Sequence, residues 1–303
     1  MKDHDISRRG VLSCLGWGTA GVLWTVAGGV PVARALGAAP KDAAAGSFSF
    51  VQISDTHFGF NKAANQDVAG TAKAAVERIN SFAPNAGLVL HTGDITHLSK
   101  PEEFDSAAGV LSGLKPSELH VVPGEHDVID STKSNFFQRY GAPSKNKGYY
   151  SFDHQGVHFI ALINVMNFQP GSMAQLGNEQ IEWLEDDLKG RSASQPIILF
   201  THIPLWSLYP QWGWGTDDWP QAMSYLKRFG SVTVLNGHIH QVVQKVEGTV
   251  SHYAGASTAF PQPKAGEGEG PGPMTVPADQ LRSVLGIRRI ETLPIKVEES
   301  TLA

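Results

Sequence analysis

Residues 119–127 read Leu-His-Val-Val-Pro-Gly-Glu-His-Asp, an apolar run that ends abruptly at Pro123 and Gly124. Three side chains with metal-ligand or proton-transfer chemistry follow at once, namely Glu125, His126 and Asp127. A buried strand of an α/β protein delivers polar groups to the carboxyl edge of its sheet in this way. A strand that ends in a polar turn is ordinary, so the significance of this stretch depends on the rest of the chain.

Four other strand-like runs end in the same way, at residues 51–54, 88–92, 196–201 and 232–236. Because strand ends of one sheet meet at the same edge, the side chains that follow these runs are predicted to converge. Nitrogen and oxygen donors of this kind suit Fe, Mn, Zn or Co better than Ca or Cu(I). The sequence therefore predicts a metal site with seven ligands, which are Asp55, His57, Asp94, Glu125, His202, His238 and His240.

The spacing of these residues suggests how they reach the metal. Asp55 and His57 are separated by one residue, as are His238 and His240. Side chains of an extended chain alternate with a period of two, so each pair is expected to point to one side. Glycines at positions 93, 124 and 237 are expected to let the backbone approach the ions.

From residue 47 onward, strand-like runs alternate with amphipathic helical segments and with hairpins. This alternation predicts a single α/β domain over residues 47–303, a sandwich with the sheets in its middle. Residues 265–277 are rich in Gly and Pro and predict a flexible, exposed loop. Residues 206–219 hold four tryptophans, which suit either the mouth of a pocket or a small satellite core.

The first 38 residues predict a twin-arginine signal peptide. Arg8 and Arg9 precede an apolar, Gly-rich run over residues 11–30, and residues 33–35 read Ala-Arg-Ala, a cleavage signal. The run barely reaches spanning length and carries five glycines, so we expect no stable membrane anchor. The expected partner is the twin-arginine export machinery, and the expected location is the periplasm.

Composition excludes some classes of protein. The formal net charge is −5 and no tract of Lys and Arg stands out, so we expect no nucleic-acid surface. Cys14 is the only cysteine, so a chain cleaved after residue 38 would contain no disulfide. Such a chain can fold in the oxidising periplasm without forming disulfides.

Over residues 48–257 the chain resembles the calcineurin-like metallophosphoesterases. The resemblance lies in five short motifs, which are Asp55-x-His57, Gly93-Asp94, Gly124-Glu125-His126-Asp127, His202 and Gly237-His238-x-His240. The resemblance implies a four-layer α/β/β/α sandwich with the metal site at the carboxyl ends of the central strands. It implies two divalent or trivalent ions, with Asp55, His57 and His240 on one, Asp94 bridging, and His202 and His238 on the other. One position departs, because the family has Asn where this chain has Glu125, which could still give an oxygen to the second metal.

The resemblance also implies a reaction. His126 matches the histidine that contacts the substrate phosphate and protonates the leaving group, with Asp127 expected to orient its ring and keep it cationic. The expected activity is hydrolysis of a small-molecule phosphate ester, preferably a phosphodiester, by a metal-bridging hydroxide. The alternative is a non-catalytic metal-binding or partner-binding protein in which the charge of Glu125 has abolished turnover.

Overall fold

Two β-sheets stack face to face in residues 47–303, and α-helices cover both outer faces. The structure is a computed structural model that describes residues 21–27, 30–36, 47–116, 118–130 and 132–303. The strands of the two sheets are β3 (Ser49–Ile53), β4 (Leu88–His91), β5 (Glu118–Val121), β6 (Tyr150–His154), β7 (Val157–Ala161), β8 (Ile197–Phe200), β9 (Val232–Asn236), β10 (Val243–Glu247), β11 (Val250–Ala254), β12 (Gly286–Glu291) and β13 (Lys296–Thr301). The six-stranded sheet has the order β10-β11-β9-β8-β7-β6, and the five-stranded sheet has the order β13-β12-β3-β4-β5.

The central strands are apolar on both faces because both faces are covered. In β8, Ile197 and Leu199 pack towards the helices of one outer layer. The alternate residues Ile198 and Phe200 lie in the core between the two sheets, with Leu90 of the opposite sheet. A continuous apolar run is therefore the expected pattern for a strand in the middle of this sandwich.

The outer layers are formed by amphipathic helices. They are α1 (Val68–Phe82), α2 (Pro101–Leu111), α3 (Ser134–Tyr140), α4 (Asn178–Leu188), α5 (Trp219–Leu226) and the short α6 (Leu281–Val284). Ile79 of α1 and Leu111 of α2 pack on the five-stranded sheet, while Leu184 of α4 and Met223 of α5 pack on the other. The predicted four-layer α/β/β/α sandwich is confirmed.

The strands that precede the predicted ligands run parallel where they are paired. β3 pairs with β4 and β4 with β5 in one sheet, and β8 pairs with β9 in the other. Within each sheet the loops after these strands therefore leave at the same edge, and the residues that follow the strands of both sheets lie close together.

The last two strands were not predicted from the sequence. β12 pairs antiparallel with both β3 and β13, so these two strands extend the five-stranded sheet beyond β3 and leave β13 at its edge. Arg288 lies on β12 and is buried, where it donates to Gln52 and Ala254 and pairs with Glu299. Charged residues in this segment hide the strand pattern, because their burial depends on partners far away in the chain.

The tryptophan-rich segment forms a satellite core. Trp214 is buried against Ile239, and Tyr209, Trp212 and Trp214 pack edge to face in series, with ring centroids 5.3 and 5.0 Å apart. Of the two alternatives, the structure favours packing. Since Ile239 stands between His238 and His240, this small core supports the loop that carries both histidines.

The predicted signal sequence lies mostly outside the described residues. Arg8 and Arg9 are among the residues that the structure does not describe, so twin-arginine export to the periplasm stays a prediction. Two strands, β1 (Gly21–Ala27) and β2 (Val30–Leu36), pair antiparallel in this part of the chain. Among the described residues, no helix has both the length and the apolar character needed to cross a membrane.

Candidate metal centre

Three predicted ligands from two strand ends form the first half of the site. One donor atom each from Asp55, His57 and His240 lies within 4.8 Å of the other two. Nε2 of His240 is 3.2 Å from Oδ1 of Asp55 and 3.2 Å from Nε2 of His57. All three side chains are buried, so their donor atoms face one another and not solvent.

The second half of the site contains the one residue that departs from the family pattern. Glu125, His202 and His238 likewise place donor atoms within 4.8 Å of one another. Oε2 of Glu125 is 3.0 Å from Nε2 of His202, and Oε1 is 3.0 Å from Nδ1 of His238. Glu125 therefore stands in this cluster as a third potential ligand, with both carboxylate oxygens directed at histidine nitrogens.

Asp94 lies between the two clusters. Its Oδ2 is 3.5 Å from Nε2 of His57 in the first cluster and 3.4 Å from Nε2 of His202 in the second. This carboxylate is buried and reaches both halves with one oxygen. The structure thus brings all seven predicted ligands together, with Asp94 where a bridging ligand would have to stand.

The backbone at these residues was predicted wrongly. Asp55, His57, Asp94, His238 and His240 all have positive φ, between 43° and 69°. They are not extended, so the period-two argument gives the right convergence for the wrong reason. A non-glycine residue in the left-handed region costs on the order of 1–3 kcal/mol and persists where the surroundings impose it.

Hydrogen bonds between the ligand loops hold this strained backbone. The Asp55 amide donates to the carbonyl of Gly93 at 3.0 Å, and the His57 amide donates to that of Asp94 at 2.9 Å. The amide of His238 donates to the carboxylate of Asp55 at 3.1 Å. Each loop is therefore fixed by another ligand loop, which pre-forms the site in the protein itself.

The glycines make room for the side chains of the ligands, whereas the sequence suggested that they make room for the ions. A Cβ on Gly124 would clash with the carboxylate of Asp94, and one on Gly237 would clash with the hydroxyl of Ser54 and the carboxylate of Asp55. These positions are closed to other residues because polar side chains of the site occupy the space that a Cβ would need. The close approach is between the backbone and the ligand side chains.

The residues present fit two metal ions. Oε2 of Glu125, Nε2 of His202 and Nδ1 of His238 are buried, and although the Glu125 carboxylate lies 3.0 Å from each nitrogen, none of the three atoms has a partner with hydrogen-bond geometry in the described part of the chain. Buried polar atoms normally have such partners, so three of them within 4.8 Å of one another fit a bound cation. Carboxylate oxygens with imidazole nitrogens form the donor set of Zn, Fe and Mn sites.

Charge pairing in the second cluster supports this conclusion. Burial lowers the pKa of His202, but the carboxylates of Asp94 and Glu125 outweigh it and raise that pKa well above its ordinary value. Burial raises the pKa of Glu125, but His238 and His202 outweigh it and hold that pKa well below its ordinary range. These carboxylates therefore favour a positive charge beside them, which a bound metal ion would supply.

His126 lies beside both halves of the site. Its Nδ1 donates to the carbonyl of His97 at 2.7 Å, so Nε2 is the ring nitrogen that takes no part in this hydrogen bond. One of its ring nitrogens is within 4.8 Å of donor oxygens of Asp94 and Glu125. Burial lowers the pKa of His126, but these carboxylates outweigh it and raise the pKa above its ordinary value, as a proton donor at neutral pH requires.

The prediction that Asp127 orients the ring of His126 is wrong. The carboxylate of Asp127 accepts hydrogen bonds from the amides of Ile95, Thr96 and Gly124, at 2.8–3.0 Å. Residues 125–127 form one turn of 3-10 helix, in which neighbouring side chains point in different directions. Asp127 therefore joins the loops after β4 and β5.

The sequence allowed two interpretations of His97, a residue that reaches the pocket or an exposed loop histidine, and the second was preferred. The structure contradicts that preference, because the side chain is half-buried and stacks on the ring of His126, with centroids 4.8 Å apart. Its Nδ1 lies 3.4 Å from Nδ1 of His57. The signal available was its place three residues after Asp94, within reach of any site built around that carboxylate.

Comparisons with known proteins identify a family and a shared fold. The family model of the calcineurin-like phosphoesterases matches residues 48–242. A probable cyclic nucleotide phosphodiesterase from Rhodopseudomonas palustris is 29% identical over 159 residues, which are 51% of this chain and 57% of that protein. A serine/threonine-protein phosphatase from Mus musculus is 28% identical over 227 residues, 65% of this chain and 70% of that protein.

Solved structures show the same architecture. A dimetal phosphatase from Danio rerio superposes with a TM-score of 0.60 at 15% identity, covering 84% of this chain and 98% of that one. This chain therefore shares its fold with that structure. The chain belongs to the calcineurin-like phosphoesterase family.

Proposed function

We propose that this protein is a phosphodiesterase that uses two metal ions. The descriptions of its relatives divide between a phosphodiesterase and a phosphatase, so they do not choose between diester and monoester substrates. One observation supports the choice of a diester, namely the carboxylate of Glu125 at 3.0 Å from both His202 and His238.

The charge of the site distinguishes the two classes of substrate. Two divalent ions with the carboxylates of Asp55 and Asp94 have a formal charge of about +2, and ionised Glu125 lowers it to about +1. A phosphomonoester carries nearly two negative charges at neutral pH, whereas a diester carries one. Because charges interact more strongly in a buried site than in water, Glu125 disfavours the monoester more than the diester.

Separate residues of the site would bind the metal ions and transfer the proton. Asp55, His57 and His240 would hold one ion, Glu125, His202 and His238 the other, and Asp94 would contact both. When bound, such ions polarise a phosphoryl oxygen and lower the pKa of water. The anchored His126 presents Nε2 to the leaving oxygen and supplies the proton that the departing alkoxide needs.

A substrate panel tests the proposal. The purified protein, loaded with Mn²⁺ or Zn²⁺, is expected to hydrolyse an aryl phosphodiester with a higher kcat/KM than the matching monoester. Metal content is measured on the same sample. Two bound ions without turnover of any diester, monoester or pyrophosphate would favour the non-catalytic alternative.

Glu125→Asn is expected to change substrate preference. Removing the negative charge should raise the ratio of monoester to diester kcat/KM by about tenfold, equivalent to ~1.4 kcal/mol. The variant should also lose its second metal more readily, because an amide oxygen is a weaker ligand than a carboxylate. Steady-state kinetics at saturating metal give the ratio, and chelator competition gives the affinity.

Glu125→Gln is the matched control for length. It removes the charge but keeps the reach of the side chain to His202 and His238, so the same shift in ratio is expected from both variants. A ratio that stays constant or falls in both variants would contradict the charge argument, whereas a shift in Glu125→Asn alone would show that Glu125 acts through its geometry.

A further inference from the structure

His97 contacts two histidines of the site, His126 and His57. Its carbonyl accepts the Nδ1 hydrogen of His126, and its ring stacks on the same imidazole with an interplanar angle of 17°. Its Nδ1 is 3.4 Å from Nδ1 of His57, at the long end for a hydrogen bond. The buried ring of Phe60 packs edge-on against His97 from another direction, with centroids 5.1 Å apart.

The contact with His57 matters because a histidine ligand needs its second nitrogen anchored. A ligating imidazole donates its other N–H to an acceptor, which fixes the ring orientation and the tautomer. Nδ1 of His202 donates to the carbonyl of Thr92 at 2.7 Å, and Nδ1 of His240 donates to that of Phe260 at 2.6 Å. Both anchors are backbone atoms.

His57 is anchored differently. Its Nε2 faces Nε2 of His240 at 3.2 Å and Oδ2 of Asp94 at 3.5 Å, so this nitrogen is the one available for a metal. Its proton then stands on Nδ1 and points to Nδ1 of His97, which accepts it with a lone pair. Among these three histidines, His57 alone depends on a side chain for its anchor.

We propose that His97 is a positioning residue that fixes the rings of both His57 and His126. Stacking and the backbone carbonyl hold His126, while Nδ1 holds His57 in the orientation in which Nε2 faces its metal. The inference rests on the proposed function, since it assigns His57 to a metal and His126 to proton transfer. A single side chain thus couples the alignment of a ligand to that of the proton donor.

Two substitutions separate the two contacts. His97→Phe keeps an aromatic ring for stacking but removes the acceptor for His57. His97→Asn removes the stacking ring but places an amide oxygen near the position of Nδ1. We expect His97→Phe to weaken binding of one of two Mn²⁺ ions by about 10–100-fold, the usual loss when the partner of a ligating histidine is removed. We expect His97→Asn to bind both ions with near-normal affinity.

In kinetics the two variants should rank in the opposite order, with His97→Asn affected more than His97→Phe. At saturating Mn²⁺, the dependence of kcat on leaving-group pKa reports how well His126 delivers its proton. His97→Asn should be slowed most with poor leaving groups, while His97→Phe should keep the wild-type dependence. A merely structural role would lower thermal stability and change both properties alike in both variants, which would overturn the inference.

Controls keep the outcomes distinct. His120 stacks on Phe152 with centroids 3.9 Å apart and belongs to neither cluster, so His120→Phe should change neither metal affinity nor leaving-group dependence. Wild-type affinity and kinetics in both His97 variants, with two ions bound to the wild type, would overturn the role of His97 alone. Complete loss of one ion from His97→Phe would make His97 a ligand and also overturn a positioning role. Failure of the wild type to bind metal would instead contradict the proposed function.

Discussion

Asp94→Asn is expected to release both metal ions and to abolish most of the activity. Oδ2 of Asp94 lies 3.5 Å from His57 and 3.4 Å from His202, so this carboxylate is the group placed to neutralise both cations at once. Its removal should lower the affinity for each ion by more than ~100-fold. That value is the upper end of the loss seen when a residue that only hydrogen-bonds to a ligand is mutated. Metal content after dialysis and kcat/KM on an aryl diester measure the two effects.

The substitution is conservative in shape. Oδ1 of Asp94 accepts the amide hydrogen of His126 at 3.0 Å, and an asparagine oxygen can keep that bond. Asp105→Asn is the matched control, because Asp105 lies on the surface in α2 and pairs only with Arg139 among the described residues. Two tightly held ions and near-normal turnover in Asp94→Asn would show that Asp94 does not bridge.

His126→Ala is expected to lower kcat by roughly 10²–10⁴-fold while both metal ions stay bound. The loss should be largest for diesters with basic alkoxide leaving groups, which depart slowly without a proton. It should shrink for nitrophenyl esters, whose leaving groups need little protonation. Rates across a series of leaving groups, together with metal content, measure both predictions.

A matched variant separates proton transfer from packing. His126→Gln keeps a polar side chain beside His97 but cannot deliver a proton in the same way, so it should show the same leaving-group pattern as alanine. An equal loss for every substrate in both variants would contradict the role of His126 as the general acid.

The sequence was sufficient for the sandwich and for the gathering of seven ligands. Buried strands read as apolar runs, and the residues after them, such as Asp55 and His202, could be assigned to one edge without knowing any distance. The left-handed backbone at Asp55 and His238 could not be predicted, because a DxH or HxH spacing looks the same on an extended strand. That conformation depends on hydrogen bonds to loops remote in sequence.

Two other features escaped prediction for related reasons. Asp127 follows His126 directly, which suggested a partnership, but its hydrogen bonds to Ile95 and Thr96 arise from a contact between loops about thirty residues apart. The strand at Gly286–Glu291 contains Arg288, whose burial depends on Gln52 near the start of the domain. Local pattern carries no information about such pairings.

The positive φ angles of the ligand residues also restrict how this site can evolve. At Asp55, His57, Asp94, His238 and His240, branched side chains such as Val, Ile and Thr are excluded by the backbone, whatever their chemistry. Asn, Asp, His and Gly are the residues that tolerate this conformation best, and three of these four can bind a metal. Only a few residue types are therefore tolerated at these positions, and most of them can bind a metal. New metal preferences could arise there by exchange of one donor for another while the loops keep their shape.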